Sequence, residues 1–303
     1  MQKPGYAERC GPRLGELAAE GIYFGSSSWK YDGWRGLVYD AGGGGDETYL
    51  KQYAAVFPTV CADFTFYRFY NVGMFRSLYH ATPPGFIFGL KVTRSLLIDR
   101  YPAWFKGENA GKVNMEFLEP EVFAGKFLTP ALELKEKLGP IIFEFGEKTM
   151  AMSPVDFVAA LDTFFAKVPK GYQYAVEVRR KNFLTAEYFQ ALRRQAVAHV
   201  INSQQTSPPM REQMATYPVF TAPHSVIRAL TPPRLSYKKS LERAEPFDHI
   251  VIEYPDGVDT IVEVAKACRE AGRKLHAYIN NRLEGCAPLT IERILDRLSP
   301  VDA

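Results

Sequence analysis

The sequence predicts a single α/β domain of the TIM-type (β/α)8 barrel, on three observations. Eight short apolar, β-branched stretches alternate with segments of helical character, at spacings of roughly 25 to 50 residues along the chain. Such alternation belongs to a parallel sheet covered by helices, and eight units match a closed barrel. The fifth stretch, Tyr174-Ala-Val-Glu-Val-Arg179, puts Ala175, Glu177 and Arg179 on one strand face and Val176 with Val178 on the other. Polar residues recur at the ends of these stretches, where barrels of this kind keep their chemistry. A doubly wound open sheet is the runner-up. No composition break demands a second domain, so the expected organisation is a polar arm over 1–21 and one barrel domain over 22–303.

Taken in order, Ile22-Tyr-Phe-Gly25 is the first strand, leading into an aromatic, glycine-rich loop with Trp29 and Trp34. Gly42 to Gly45 form a flexible connection; a phosphate-binding loop would need a following Lys-Ser/Thr, which is absent. A helix is expected over 47–57, ending near Pro58. The second strand runs over 60–67, and Asn71 caps a helix to about Tyr79. The third strand covers 86–92. A long irregular stretch over 93–119 contains Trp104; excursions of that length are usually functional loops. A helix over 122–138 is expected to stop at Gly139-Pro140, followed by strand four over 141–145. Ser153-Pro154 with Asp156 starts the next helix. After strand five, Thr185 caps another. Strands six and seven cover 199–202 and 225–230, with a short extra strand over 249–254. A helix over 258–271, strand eight over 275–281 and a helix over 289–298 close the chain.

Parity sorts the polar residues. Cys61 and Asp63 share one face of strand two, Lys91 joins Gly89 on strand three, and Glu144 opposes Phe143 and Phe145 on strand four. With Glu177, Arg179, Asn202, Arg228, Asn280 and Asn281, they gather at the expected barrel mouth. Lone buried charges are expensive, so these groups must pair with one another or bind water or a ligand. Lys91 with Glu144, and Glu177 with Arg179 or Arg228, are the expected pairs. Three cations and three acids at one mouth also suit a small polar, anionic ligand.

Several motifs in register then identify a family resemblance. Gly25-Ser-Ser-Ser-Trp29 with Trp34-Arg-Gly36, Phe64-Thr-Phe-Tyr67, Ala81-Thr-Pro-Pro-Gly-Phe86 with Lys91, Gly139-Pro140, Tyr174–Arg179 and Tyr278-Ile-Asn-Asn281 follow one another as in the YecE-like family, domain of unknown function 72. The chain resembles it over nearly its whole length from Ile22. The resemblance implies a TIM-type barrel and no established reaction. The chain departs from the family pattern in five places: Cys61 stands at its strand-two Glu with Asp63 at the following Asn, Glu144 at a Gln, Gly146-Glu147 at a Pro-Pro, Arg179-Arg-Lys-Asn-Phe183 at an R-H-P-x-W tail, and Leu230 at its strand-seven His.

Function is expected to be an enzyme acting by general acid/base chemistry on a small polar, anionic substrate. Glu177, Glu144 and Asp63 are the candidate catalytic acids and bases. Lys91, Arg179 and Arg228 would hold the anion, Asn280 and Asn281 would stabilise developing charge, and Trp29 and Tyr67 are further candidate contacts. The alternatives are a nucleic-acid-binding or metal-dependent phosphodiesterase barrel, and a non-catalytic binding protein. The former draws on Arg179-Arg-Lys181, Arg193-Arg194, Lys238-Lys239 and the stacking capacity of Trp29, Trp34 and Trp104. No cofactor motif or metal-ligand spacing is present, since His199, His224 and His276 are isolated.

Composition narrows the classes further. A net charge of +3 is too small to argue for nucleic acid by itself. No window approaches the roughly 20 apolar residues of a membrane span, and the N-terminal residues lack the apolar core of a secretory signal. Cys10, Cys61, Cys268 and Cys286 show no C-x-x-C spacing. Free thiols in a reducing, cytoplasmic compartment are the expectation.

Overall fold

In a computed structural model describing residues 5–42, 44–103, 108–146, 151–233 and 235–298, the strands close into an eight-stranded parallel barrel in sequence order. Its strands are β1 (Ile22–Ser26), β2 (Thr59–Ala62), β3 (Ile87–Lys91), β4 (Leu138–Phe145), β5 (Tyr174–Val178), β6 (Ala198–Ser203), β7 (His224–Ala229) and β8 (Lys274–Ile279). The barrel predicted from alternation is present, and β8 pairs with β1 to close it. Gly43, Trp104 and Glu147 lie outside the described residues.

The period-2 reading of the strands is borne out in the packing. Cys61, Ile142, Ala175, Val200, Val226 and Tyr278 form a small apolar cluster inside the barrel. Their neighbours along the strands, such as Val60, Phe143, Val176, Ile227 and Ala277, belong to the larger layer between barrel and helices. These residues form an apolar layer one step below the mouth, and the polar positions two residues further on are left at the mouth.

Helix starts follow local chemistry. Asn71 accepts from the Met74 amide, Ser153 from Asp156 and Thr185 from Tyr188, so all three predicted caps form. The N-terminal segment expected to be a polar arm is instead a helix, α1 (Tyr6–Ala19). Tyr6, Cys10 and Leu14, four residues apart, are its buried face. Tyr6 Oη donates to Pro288 O at 2.8 Å, and Arg9 meets Glu292 at 2.8 Å on the last helix, Ala287–Arg297. The two helices flanking the groove described below are α2 (Asp46–Ala54) and α3 (Val72–Ala81).

Three expected elements differ. Strand two ends at Ala62, because a 3-10 turn, Asp63–Phe66, follows; Thr65 Oγ1 ties that turn to Ala62 O at 3.0 Å and Lys91 O at 2.7 Å. The helix expected over 122–138 is a series of short helical pieces ending at Lys137, interrupted at Lys135 by a positive φ of 50°. Gly139 and Pro140 lie inside β4 rather than after a helix. A Cβ on Gly139 would lie 2.4 Å from Ile87 Cγ2, so this glycine permits close β3–β4 packing. The short strand expected over 249–254 is irregular. Glu284 takes its amides instead, with Glu284 O accepting from Val251 and Ile252 and Glu284 Oε1 from Tyr254.

Candidate functional site

Strand register sets Glu144 directly beside Glu177 on β4 and β5. Adjacent carboxylates repel unless cations lie between them, and Arg228 supplies one from β7 across the lumen. Its Nη1 is 2.6 Å from both Glu144 Oε2 and Glu177 Oε2. Its Nη2 lies 3.0 Å from Asp63 Oδ1 and 3.1 Å from Asp63 Oδ2. Lys91 Nζ reaches Glu144 Oε2 at 2.6 Å and Asp63 Oδ1 at 4.0 Å. Arg179, just beyond β5, spans the pair: Nη2 to Glu144 Oε2 and Nε to Glu177 Oε1, both at 2.7 Å. Both pairings expected from sequence are present, and they share partners in one six-charge cluster.

Burial grades the cluster. The side chains of Glu177, Arg228, Glu144 and Lys91 are 0%, 1%, 6% and 7% exposed, whereas Arg179 and Asp63 keep 22% and 30%. Only the last two therefore offer appreciable surface to a ligand. Burial pushes the Glu144 carboxyl up, but Arg179, Lys91 and Arg228 outweigh it and hold the group well below the usual carboxylate range. Burial opposes the Arg228 charge, yet Asp63, Glu177 and Glu144 keep its guanidinium firmly protonated. Glu144 thus anchors cations as a permanent anion and has little capacity to donate a proton. Lys91 is further held over the Phe66 ring at 4.1 Å.

Neighbours fix this arrangement. Cys61 Sγ donates to Asp63 Oδ1 at 3.3 Å. Burial and the adjacent Asp63 push its thiol well above the ordinary value, so it stays a neutral donor. Tyr278 crosses the lumen beneath the cluster and needs the missing side chain of Gly89, where a Cβ would sit 2.3 Å from its hydroxyl. Asn202 is occupied structurally, donating to Val178 O at 3.2 Å and accepting from Ser207 Oγ at 2.6 Å.

The remaining expected site residues are placed differently. Asn280 Oδ1 accepts from the Arg282 amide at 3.0 Å and Asn281 Oδ1 from the Ala287 amide at 2.7 Å, so both shape the turn after β8. Trp29 packs edge-on against Phe64, with centroids 5.8 Å apart, and its buried Nε1 has no hydrogen-bond partner among the described residues. Tyr67 is 76% exposed and meets Phe66 edge-on, with centroids 5.7 Å apart. Leu230 is buried, its amide donating to Ser203 Oγ at 3.0 Å.

A cavity of about 940 Å³ lies outside the lumen, between α2 and α3 and the loops after β1 and β2. Trp29, Phe64, Tyr70, Leu50 and Leu78 line it, and Asp63 is the cluster member that reaches it. Among its cations, Lys30 pairs with Asp46, Lys51 with Glu47 and Arg76 with Glu133. Among the basic pairs noted in the sequence, Lys181 pairs with Glu212, Arg194 with Asp162 and Lys238 with Glu242. Among the described residues no three His, Cys, Asp or Glu side chains form a group suited to a metal ion. No helix among them is long and apolar enough to cross a membrane.

Sequence reasoning missed Arg282 and Tyr31. Arg282 is half-buried, stacked over Tyr237 at 4.3 Å, and close enough to Tyr31, Asp63 and Arg228 to share their field. Its position directly after the polar end of strand eight was the available signal.

Comparison with known proteins agrees with this architecture. A family model described as protein of unknown function DUF72 matches residues 23–302. A DUF72 family protein of Thermotoga maritima is 22% identical with a TM-score of 0.62, over 91% of this chain and 99% of that one. A DUF72 family protein of Enterococcus faecalis is 18% identical in two crystal structures. Their TM-scores are 0.57 and 0.62, over 91% and 93% of this chain and 97% and 99% of theirs. At such identities the likeness is one of fold. No match was found among curated proteins.

Proposed function

The chain belongs to the DUF72 family of proteins of unknown function, and from that premise we propose that it is an enzyme acting on a small anionic substrate at the barrel mouth. Asp63 is the group that exchanges a proton with that substrate. The observation carrying this reading is the six-charge cluster itself. Three carboxylates and three cations, four of the six almost fully buried, are gathered at the barrel end where such folds conduct chemistry. A cluster of this kind contributes little net stability over apolar packing, which favours a role beyond folding.

Within the cluster the roles divide by access. Glu177 accepts from Arg179 at Oε1 and from Arg228 at Oε2, and Glu144 Oε2 carries three cations. Both are fully engaged in aiming the cations. Asp63 is oriented by Arg228 and Cys61, keeps exposed surface and adjoins the groove. It is best placed to reach a substrate proton. Arg179 is the cluster cation with surface to offer an anion. Lyase, isomerase and hydrolase chemistry share this proton-transfer requirement.

The test is a panel of small carboxylates and phosphate esters scored by thermal shift and turnover, on wild type, Asp63→Asn, Glu144→Gln and Glu177→Gln. Asp63→Asn is expected to keep ligand stabilisation while losing about 10²- to 10⁴-fold in rate. Undiminished turnover in that variant refutes the assignment. A second reading, a non-catalytic binding protein, is favoured by the complete pairing of the six charges. Saturable binding without turnover across the panel would select it.

A further inference from the structure

The turn after β8 is tightly organised. Asn280 holds the Arg282 amide, Leu283 N donates to Asn280 O at 3.0 Å, and Asn281 binds the Ala287 amide. This turn sets Arg282 at the barrel mouth, over the Tyr237 ring at 4.3 Å and within the field of Asp63 and Arg228. Lys91, Arg179 and Arg228 each have carboxylate partners, whereas no carboxylate among the described residues lies within ion-pair distance of Arg282. Its Nε is buried with no acceptor among them. Among the described residues, the cluster together with Arg282 holds four cations against three carboxylates.

An arginine left half-buried without a counterion loses hydration and gains no partner. Burial pulls the Arg282 pKa down, and Tyr237, Tyr31 and Asp63 only partly offset it. The Tyr237 ring lies 4.3 Å from the guanidinium carbon and attracts the cation without taking its N–H hydrogens in a hydrogen bond. Tyr31 adds a neutral hydroxyl, because burial and then Asp63 push its pKa up to about 12.

We propose that Arg282 is the anion anchor of the mouth, binding two oxygens of a ligand carboxylate or phosphate beside Asp63. The inference rests on the reading of the mouth as a ligand site and names the ligand's class, an oxyanion-bearing molecule. The anchor is Arg282, while Lys91 and Arg228 act on the ligand only through the carboxylates they already hold. Bidentate recognition of this kind is the usual work of an arginine fork.

The test titrates wild type, Arg282→Gln, Arg282→Lys and Arg211→Gln with inorganic phosphate and, separately, acetate, at ionic strength fixed with chloride. Binding is read by thermal shift and calorimetry. Arg211 is an exposed control, paired with Asp256 and Glu263. At least one anion is expected to bind wild type saturably, which also separates phosphate from carboxylate recognition. Arg282→Gln should weaken it roughly ten- to hundredfold. Arg282→Lys, a point charge without the fork, should fall between, and serves alone if the glutamine variant does not fold. Arg211→Gln should bind as wild type does. Equal affinity in wild type and Arg282 variants, or no saturable anion effect beyond chloride, overturns the proposal. Asp63→Asn separates the two claims: it should bind the anion at least as well as wild type. Anion binding lost with Arg282 but no turnover in any panel leaves the anchor standing without the enzyme; the converse pattern removes the anchor alone.

Discussion

Arg228 on β7 and Glu144 on β4 meet at 2.6 Å across the barrel lumen, with Glu177 at the same distance from the same nitrogen. One guanidinium thereby relieves the repulsion that strand register imposes on two neighbouring glutamates. The geometry makes each of the three dependent on the others.

Removing one member should therefore cost far more than removing an exposed pair. Glu144→Gln leaves Lys91, Arg179 and Arg228 short of their common anion, and is expected to lower unfolding free energy by about 3–5 kcal/mol. Combined with Arg228→Met, the loss should be well below the sum of the single effects. Urea unfolding of the four proteins of the cycle measures it; additive effects would dissolve the cluster as a unit.

Stability should fall as the solution is acidified from pH 6.5. Burial lowers the pKa of His199 and His224 to about 4 and of His276 to about 3, from an ordinary 6.5. Each depressed histidine is neutral in the folded chain, so below pH 6.5 the unfolded chain binds more protons. The contribution is complete above pH 6.5 and disappears as pH falls through 4 to 3. Glu144, also depressed, adds a loss of the same sign below pH 4.5. His276 stacks on Tyr23 at 4.9 Å with neither ring nitrogen hydrogen-bonded among the described residues. His276→Phe should consequently flatten the profile of melting temperature between pH 7 and 4; a profile parallel to wild type would contradict this.

The crossing of Tyr278 beneath Gly89 is testable by size alone. Gly89→Ala forces a methyl group against the Tyr278 ring and should cost about 1–3 kcal/mol. Tyr278→Leu in the same chain should recover part of that loss, measured against Tyr278→Leu by itself.

All four cysteines are free and buried. Burial leads the upward shift of the Cys61, Cys10, Cys268 and Cys286 thiols. Alkylation of the native protein at pH 8 should be slow at every site and become rapid only in denaturant. Fast native labelling of Cys61 would mean that its donation to Asp63 is wrong.

Much of the barrel was legible because its signals are local. Alternation over five residues is enough to separate Glu177 from Val176, and the caps at Asn71, Ser153 and Thr185 depend on the next three residues. Gly139-Pro140 misled because a glycine admitting Ile87 looks the same in sequence as one ending a helix. The segment over 249–254 looked like a strand because its competitor for the backbone amides, Glu284, lies some thirty residues away. The α1 helix left a trace in the spacing of Tyr6, Cys10 and Leu14, obscured by Gly11, Pro12 and Gly15.

At the mouth, residue types and shared faces were readable, and their partners partly so. Which carboxylate keeps access was not, since it depends on the 3-10 turn that takes Asp63 out of β2 and on what closes over Glu144 and Glu177. Arg282 escaped notice because its lack of a counterion is a property of the space around it. Tyr67 was drawn in by its place in a motif, whereas the 3-10 turn after β2 directs it outward.

The most direct test of the central claim is the mass-spectrometric identity of what the protein retains from a metabolite extract. The account predicts a small carboxylate- or phosphate-bearing molecule, retained by wild type and Asp63→Asn and lost from Arg282→Gln. Retention of neutral or cationic molecules alone, or of no small molecule by any of the three proteins, would contradict it.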